Sequence, residues 1–222
     1  MINQTTQQVS ARKAPSRLYT VVGLLITAAL FVSLAMSPVS VFSQLTKEGR
    51  PIEQLSTVFY FAAALVLLPR FTTQWPYLMV LVFFGLREMD MDKIPFTEGL
   101  FKSRQYIGDT VAAPERILSA IVLIVLLVVV ITAVKRGLRA PRERGFDGVT
   151  LSVMVALALG TTAKTLDGIG RKLAPYGIEV SETAEAYASL YEEVAEFGMA
   201  LCLLLACIAF VRDPSSKGDP RQ

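Results

Sequence analysis

From Ile117 to Val134 the chain runs 18 residues without a formally charged side chain, and most of them are Val, Ile or Leu. These residues favour strands in water, but a segment in lipid must satisfy its own backbone hydrogen bonds. The run is therefore read as a membrane-spanning helix. Once one such span is accepted, every other apolar block is read against the same bilayer.

Five further spans follow: Leu18–Met36 with a softer tail through Phe42, Pro51–Pro69, Trp75 into Arg87 and beyond, Asp147 to Lys172, and Ser181 to Val211. Arg70 to Gln74 leave room only for a tight turn, so the second and third spans form an antiparallel hairpin. The first run competes with a signal-peptide reading, because basic residues precede it and small ones follow. Its 19 residues exceed the roughly 7–15 of a signal core, which favours a retained helix. The composition agrees: 53% of residues are apolar and 18% charged, against about 25% charged in soluble domains. These figures argue against a water-soluble globular enzyme. There is no histidine, so no His/Cys zinc site, no haem and no Ser-His-Asp triad is expected. Cys202 and Cys207 lie five apart in the last apolar block, on different helix faces, and read as small buried apolar residues.

Lys and Arg set the orientation. With the N-terminus in the cytoplasm, the cytoplasmic segments collect Arg12, Lys13, Arg17, Arg70, Lys135, Arg136, Arg139, Arg142, Arg144, Arg212, Lys217 and Arg221, which is 12 of the 22 basic residues. The external loops hold Lys47, Arg50, Lys102 and Arg104, and the other bases fall at external helix ends. The expectation is an all-α integral membrane protein: a six-transmembrane-helix bundle over residues 18–211, with cytoplasmic tails at 1–17 and 212–222. The stretch Lys135–Arg144 is explained by topology and anionic lipid, and no nucleic-acid partner is inferred.

On this topology the unusual charges fall on one side. Counting ~1.5 Å per residue, Arg87 and Glu88 lie roughly 18–20 Å along the third helix from Trp75, inside a ~30 Å core. Lys164, Asp167 and Arg171 share one face of the fifth helix, with Lys164 about 25 Å from Asp147. The sixth helix carries Glu192, Glu193 and Glu196, the last about 24 Å from Arg212. A charge at the centre of a lone span costs roughly 2.5–3.5 kcal/mol, less near the interface, unless it meets partners or water. The third, fifth and sixth helices are therefore expected to close around a polar pocket in the outer leaflet. Glu88, Asp90, Asp92, Asp167, Glu192, Glu193 and Glu196 give seven acids, and Arg87, Lys93, Lys164 and Arg171 give four bases. The surplus of negative charge calls for a cation, a cationic substrate or bound protons.

In the pocket, Glu88, Asp90, Asp167 and Glu193 are the candidate catalytic acids. They are also the candidate ligands of a hard divalent cation (magnesium, calcium or manganese), because only oxygen donors are on offer. Arg87, Lys93, Arg104, Lys164, Arg171, Glu192 and Glu196 are the candidate substrate-binding residues. Lys102, Arg104 and Tyr106 stand beside the outer leaflet, where they suit lipid phosphates or an ordinary interfacial loop. Tyr60, Trp75 and Tyr77 fit an aromatic belt, and Gly160 to Ala163 permit close helix contact beside Lys164. The competing account is structural: Arg87–Glu88 and Lys164–Asp167 as ion pairs that lock helix packing.

Arg87-Glu88-Met89-Asp90-x-x-Lys93, followed by Phe96-Thr97 and Lys102-x-Arg104-x-Tyr106, resembles a group of small multi-pass bacterial inner-membrane proteins. Asp167 on a later helix and the Glu192-Glu193 pair on the last complete the likeness, which covers about Leu81 to the end of the sixth helix. Many members carry His where this chain has Asp92. The group is uncharacterised, so the resemblance implies a bacterial inner-membrane location and these site residues, without an activity. Two main classes remain open: a one-sided site for a lipid-linked or periplasmic substrate, or a non-catalytic scaffold subunit held by ion pairs. Proton- or cation-coupled transport ranks lower, because the cytoplasmic halves of the last two helices offer only Thr150, Ser152 and the cysteines.

Overall fold

The computed structural model of the chain describes residues 2–45 and 51–213. Lys47, Arg50, Lys217, Arg221 and nearly all of the expected C-terminal tail lie outside the described residues. Within them every regular element is helical: α1 (Ile2–Ala35), α2 (Val39–Leu45), α3 (Pro51–Leu67), α4 (Phe71–Glu88), α5 (Arg104–Ile107), α6 (Ala113–Arg144), α7 (Gly148–Leu166), α8 (Ile169–Leu173) and α9 (Glu182–Arg212). Five stretches are long and apolar enough to cross a membrane: Arg17–Ala35, Pro51–Glu88, Ala113–Arg142, Gly148–Leu166 and Glu182–Arg212.

The stretch Pro51–Glu88 counts as one of the five because its helix is almost unbroken over 38 residues. Straight, it would measure about 57 Å, nearly twice a bilayer core. It is not straight. A 3-10 turn at Leu68–Arg70, opened by Pro69, and a non-helical Gln74 (φ −110°, ψ 15°) reverse the chain. The limbs then pack on each other: the rings of Tyr60 and Phe84 stand 5.5 Å apart, and the Phe61 ring closes on Gly85. A Cβ on Gly85 would come within 2.9 Å of the Phe61 ring, so this contact depends on the missing side chain.

Two other boundaries differ from the expectation. The first apolar run stops at Ala35, and Pro38 separates it from the short α2. The fifth span was expected to run to Lys172, but α7 ends at Leu166. Asp167 leaves helical geometry (φ −49°, ψ 116°), and Gly168 takes a left-handed conformation (φ 59°) that glycine adopts without steric cost. Arg171 therefore sits on α8, not on the Lys164 face of α7.

The centre of the bundle is α9. It packs against α1, α3 and α7, and its apolar length from Val194 to Ala209 holds eleven of that helix's twelve buried residues. One core cluster joins Tyr60, Ala63, Leu67, Leu78 and Leu81 to Ala200 and Cys207, and another joins Ala156 to Met199 and Cys202. Both cysteines are free and buried, as the apolar reading expected. In contrast, α6 leans on α4 and the short α5 and turns Ile117, Ile121, Ile124, Val128 and Leu138 outward, a surface suited to lipid.

Side-chain bonds tie the helices at both ends. At one end Thr20 pairs with Ser152 (2.6 Å), Arg212 donates to the Tyr19 hydroxyl (2.9 Å), and Arg136 donates to the Thr73 carbonyl (2.7 Å) while lying over Trp75. At the other, Tyr187 donates to the Ala35 carbonyl and stacks near Phe42. This second end carries the charged residues.

Candidate functional site

The site is assembled from the ends of two helices and the first half of a third. Arg87 and Glu88 close α4, Lys164 lies in the last turn of α7, and Glu192 and Glu196 sit one turn apart in the first half of α9. The end of α7 is fixed by its own chemistry: Lys172 donates to the Lys164 carbonyl (2.8 Å) and the Thr165 carbonyl (3.3 Å), a cationic cap on exposed carbonyls. That cap holds the backbone of Lys164 while its ammonium reaches across to α9.

Lys164 Nζ meets three carboxylates, Glu196 at 2.9 Å, Glu192 at 3.4 Å and Asp167 at 3.5 Å. The Arg87 guanidinium stands 3.7 Å from Glu88 and 3.8 Å from Glu196. Both bases approach the same atom, Glu196 Oε1. The six residues thus form one connected network, with four acids to two bases. Three of the four acids are better buried than either base: Glu88 is 6% exposed, Glu196 13% and Glu192 17%, against 34% for Arg87 and 43% for Lys164, while Asp167 is 41% exposed.

A cleft of about 480 Å³ opens beside the network, lined by Phe84 and Arg87 of α4, Leu157, Gly160, Thr161, Lys164 and Thr165 of α7, Glu196 and Met199 of α9, and Tyr60 of α3. It exists because α4 and α7 are not packed against one another; each leans on a different neighbour, α4 on α3 and α6, α7 on α9 and α1. The cleft is charged at the Arg87–Lys164 level and apolar along Leu157, Phe84 and Met199. The hydroxyls of Thr161 and Thr165 are returned to their own helix, bonding the Leu157 and Thr161 carbonyls at 2.7 and 2.9 Å.

The remaining expected site residues are placed as follows. Glu193 borders the network without an ion pair among the described residues, and the acids Glu196, Glu53, Glu192 and Glu88 lie in its electrostatic field. Asp90, with positive φ (56°), pairs with Lys93 at 2.5 Å as a separate and largely exposed couple. Arg104 is exposed on α5 and Arg171 on α8, and neither enters the network. The four acids read as metal ligands (Glu88, Asp90, Asp167 and Glu193) are not gathered. Among the described residues no group of three carboxylates or thiols is set to hold a metal ion.

Two features were not anticipated. Glu53, in the first turn of α3, shares the electrostatic field of Glu88 and Glu193; its place at the head of an apolar run, at the charged end of the bundle, was the available signal. The loop after α4 is also fastened rather than loose. The Glu115 carboxylate accepts from the Thr97 amide (2.7 Å), the Thr97 hydroxyl (2.9 Å) and the fully buried Gln105 (3.0 Å). Phe101 packs edge-on against Phe83, which anchors this loop to α4 just below the network.

Comparison with protein-family models, with curated proteins and with solved structures finds no match for this chain.

Proposed function

We propose that the chain is a multi-pass protein of the bacterial inner membrane, with six passes and both termini cytoplasmic, that binds an amphiphilic, lipid-linked ligand in an outer-leaflet cleft. Pro51–Glu88 supplies two of the passes, each limb long enough for about 26 Å of bilayer. The orientation draws support from the bases Arg17, Arg70, Lys135, Arg136, Arg139, Arg142 and Arg212, all at the end away from the network. The resemblance to the RExDxxK group favours the same location.

One observation carries the functional reading. Two half-exposed bases and a carboxylate sit at the charged end of a laterally open cleft whose remaining wall is apolar. A head group can meet Arg87, Lys164 and Glu196 while its chain lies along Leu157, Phe84 and Met199. Transport is disfavoured because the opposite half of the α1–α7 seam holds only a self-satisfied Thr20–Ser152 pair. A scaffold role is the second reading, favoured by the closed Lys164 ion pairs, and the same experiment addresses it.

A phospholipid carrying a photoactivatable chain, added to membranes containing the full-length protein, tests the site. Adducts concentrated on Leu157, Thr161 and Phe84, and lost in Leu157→Trp, support lateral binding. Labelling spread over Ile117, Ile124 and the rest of the exposed apolar surface in proportion to area refutes it and leaves the scaffold. Impermeant thiol labelling of Glu98→Cys but not Arg139→Cys in intact cells tests the orientation.

A further inference from the structure

Tyr60 makes a demand on the cleft that the ion pairs do not meet. It is 2% exposed, borders the cleft from α3, and makes no hydrogen bond among the described residues. Packing against Phe84 and within the core around Ala63 and Leu67 fixes its ring. Its hydroxyl lies in the field of Glu88, Glu196 and Arg87, at the charged end. A buried tyrosine O–H left without a partner is costly, and such groups usually find one.

Arg87 shares that condition. Its guanidinium stands 3.7 Å from Glu88 and 3.8 Å from Glu196, close enough to share charge but beyond hydrogen-bond reach. Its N–H donors are therefore unspent among the described residues, and the side chain is 34% exposed where it lines the cleft. Lys164 differs: its ammonium faces three carboxylates, so it lends the cleft charge more than donors. The charged side chains on the lining are Arg87, Lys164 and Glu196, two bases to one acid. Glu88 is paired with Arg87 and Glu192 with Lys164, and both lie off the lining.

On the reading that the cleft takes its ligand laterally from the bilayer, unspent donors beside a net positive lining call for an anionic oxygen head. The donors come from α3 and α4, and the Lys164 charge arrives from α7. Groups set on three sides suit the tetrahedral oxygens of phosphate better than a planar carboxylate. A phosphodiester brings one negative charge, which the lining balances; the second charge of a phosphate monoester would exceed it. We infer that the cleft selects a phosphodiester lipid, whose non-bridging oxygens accept from Arg87 and from the Tyr60 hydroxyl beside Lys164 while a chain lies along Leu157 and Phe84. The same phosphodiester occurs in soluble glycerol esters. The apolar wall assigns it here to the lipid.

The test uses the full-length protein in dodecyl maltoside micelles. Phosphatidylglycerol, diacylglycerol and a free fatty acid, each with the same photoactivatable chain, are added in turn, and adducts are located by peptide mass spectrometry. Phosphatidylglycerol is expected to label Phe84, Leu157 and Thr161 several-fold more than diacylglycerol does. That preference falls toward parity in Tyr60→Phe and in Arg87→Gln and is unchanged in Arg139→Gln at the opposite end. Tyr60→Phe keeps the ring and its packing, so it reads the hydroxyl even where Arg87→Gln loses its fold by circular dichroism. Equal labelling by diacylglycerol overturns the anionic head, and equal labelling by the fatty acid overturns phosphate; both leave the lateral cleft standing. An undiminished preference in Tyr60→Phe overturns the donor assignment. Displacement by soluble glycerophosphoglycerol at concentrations matching the lipid overturns the lipid source. Labelling of the cleft residues by every probe no stronger than that of Ile117 and Ile124 overturns the cleft reading itself.

Discussion

Replacing Lys164 by Met keeps most of the side chain's volume and deletes the one ammonium that three carboxylates share. At 2.9 Å from Glu196, the attraction between two unit charges is about 6 kcal/mol at an effective dielectric near 20. Most of that is offset. Lys164 is 43% exposed, and Glu196, 13% exposed, has already lost most of its hydration. Exposed pairs contribute about 0–1 kcal/mol net, and breaking a buried one costs about 3–5, so a loss of roughly 1–3 kcal/mol is expected. The carboxylates left behind add mutual repulsion, which ranks Lys164→Met above Asp167→Asn, whose oxygen is both more distant and more exposed. Reversible unfolding in mixed micelles, followed by circular dichroism, measures the difference. A cycle with Glu196→Gln isolates the pair, and a coupling of about 1–2 kcal/mol is expected because the double variant removes charge of both signs. Wild-type stability in Lys164→Met, or a larger loss in Asp167→Asn, refutes the claim that Lys164 is the centre of the network.

Three other outcomes are expected. Gly198→Ala places a Cβ 2.6 Å from Thr27 Cγ2 at the α1–α9 crossing, which costs about 1–3 kcal/mol in the same unfolding assay. Ser152→Ala leaves the buried Thr20 hydroxyl with only its 3.2 Å bond to the Gly148 carbonyl and costs about 1 kcal/mol, with no change at the charged end of the bundle. Glu115→Ala removes the acceptor of three hydrogen bonds, so amide exchange should quicken over Thr97–Ile107 and stay unchanged in α9, as read by mass spectrometry.

The charged network was legible because each of its members interrupts an apolar run, where a charge is conspicuous, and because ~1.5 Å per residue converts position into depth. Arg87, Glu88, Lys164, Asp167, Glu192 and Glu196 were all named that way, and the structure links them. Arg171 was misplaced because spacing was carried through Gly168, whose left-handed turn breaks the face; Gly168-x-Gly170 was the warning. Among the carboxylates read as metal ligands, Asp90 stands apart from the network for a related reason. Asp90 follows the end of α4, where positive φ redirects the chain and Lys93 lies close enough to pair with it. Glu53 escaped notice because an acid in a helix's first turn has an ordinary explanation in the helix dipole. The Thr97–Gln105–Glu115 clamp has no periodicity to betray it, since it joins an irregular loop to a helix start through contacts that only the fold specifies.

The position of α9 governs the order of assembly. Ribosomes make it after every helix it joins, so Arg87 and Lys164 enter the bilayer before Glu192 and Glu196 exist to receive them. For that interval the two bases have only the acids of their own segments, Glu88 and Asp167, as partners. The arrival of α9 completes those pairs with Glu192 and Glu196 and joins α1, α3 and α7 along one shared helix, the keystone of the bundle.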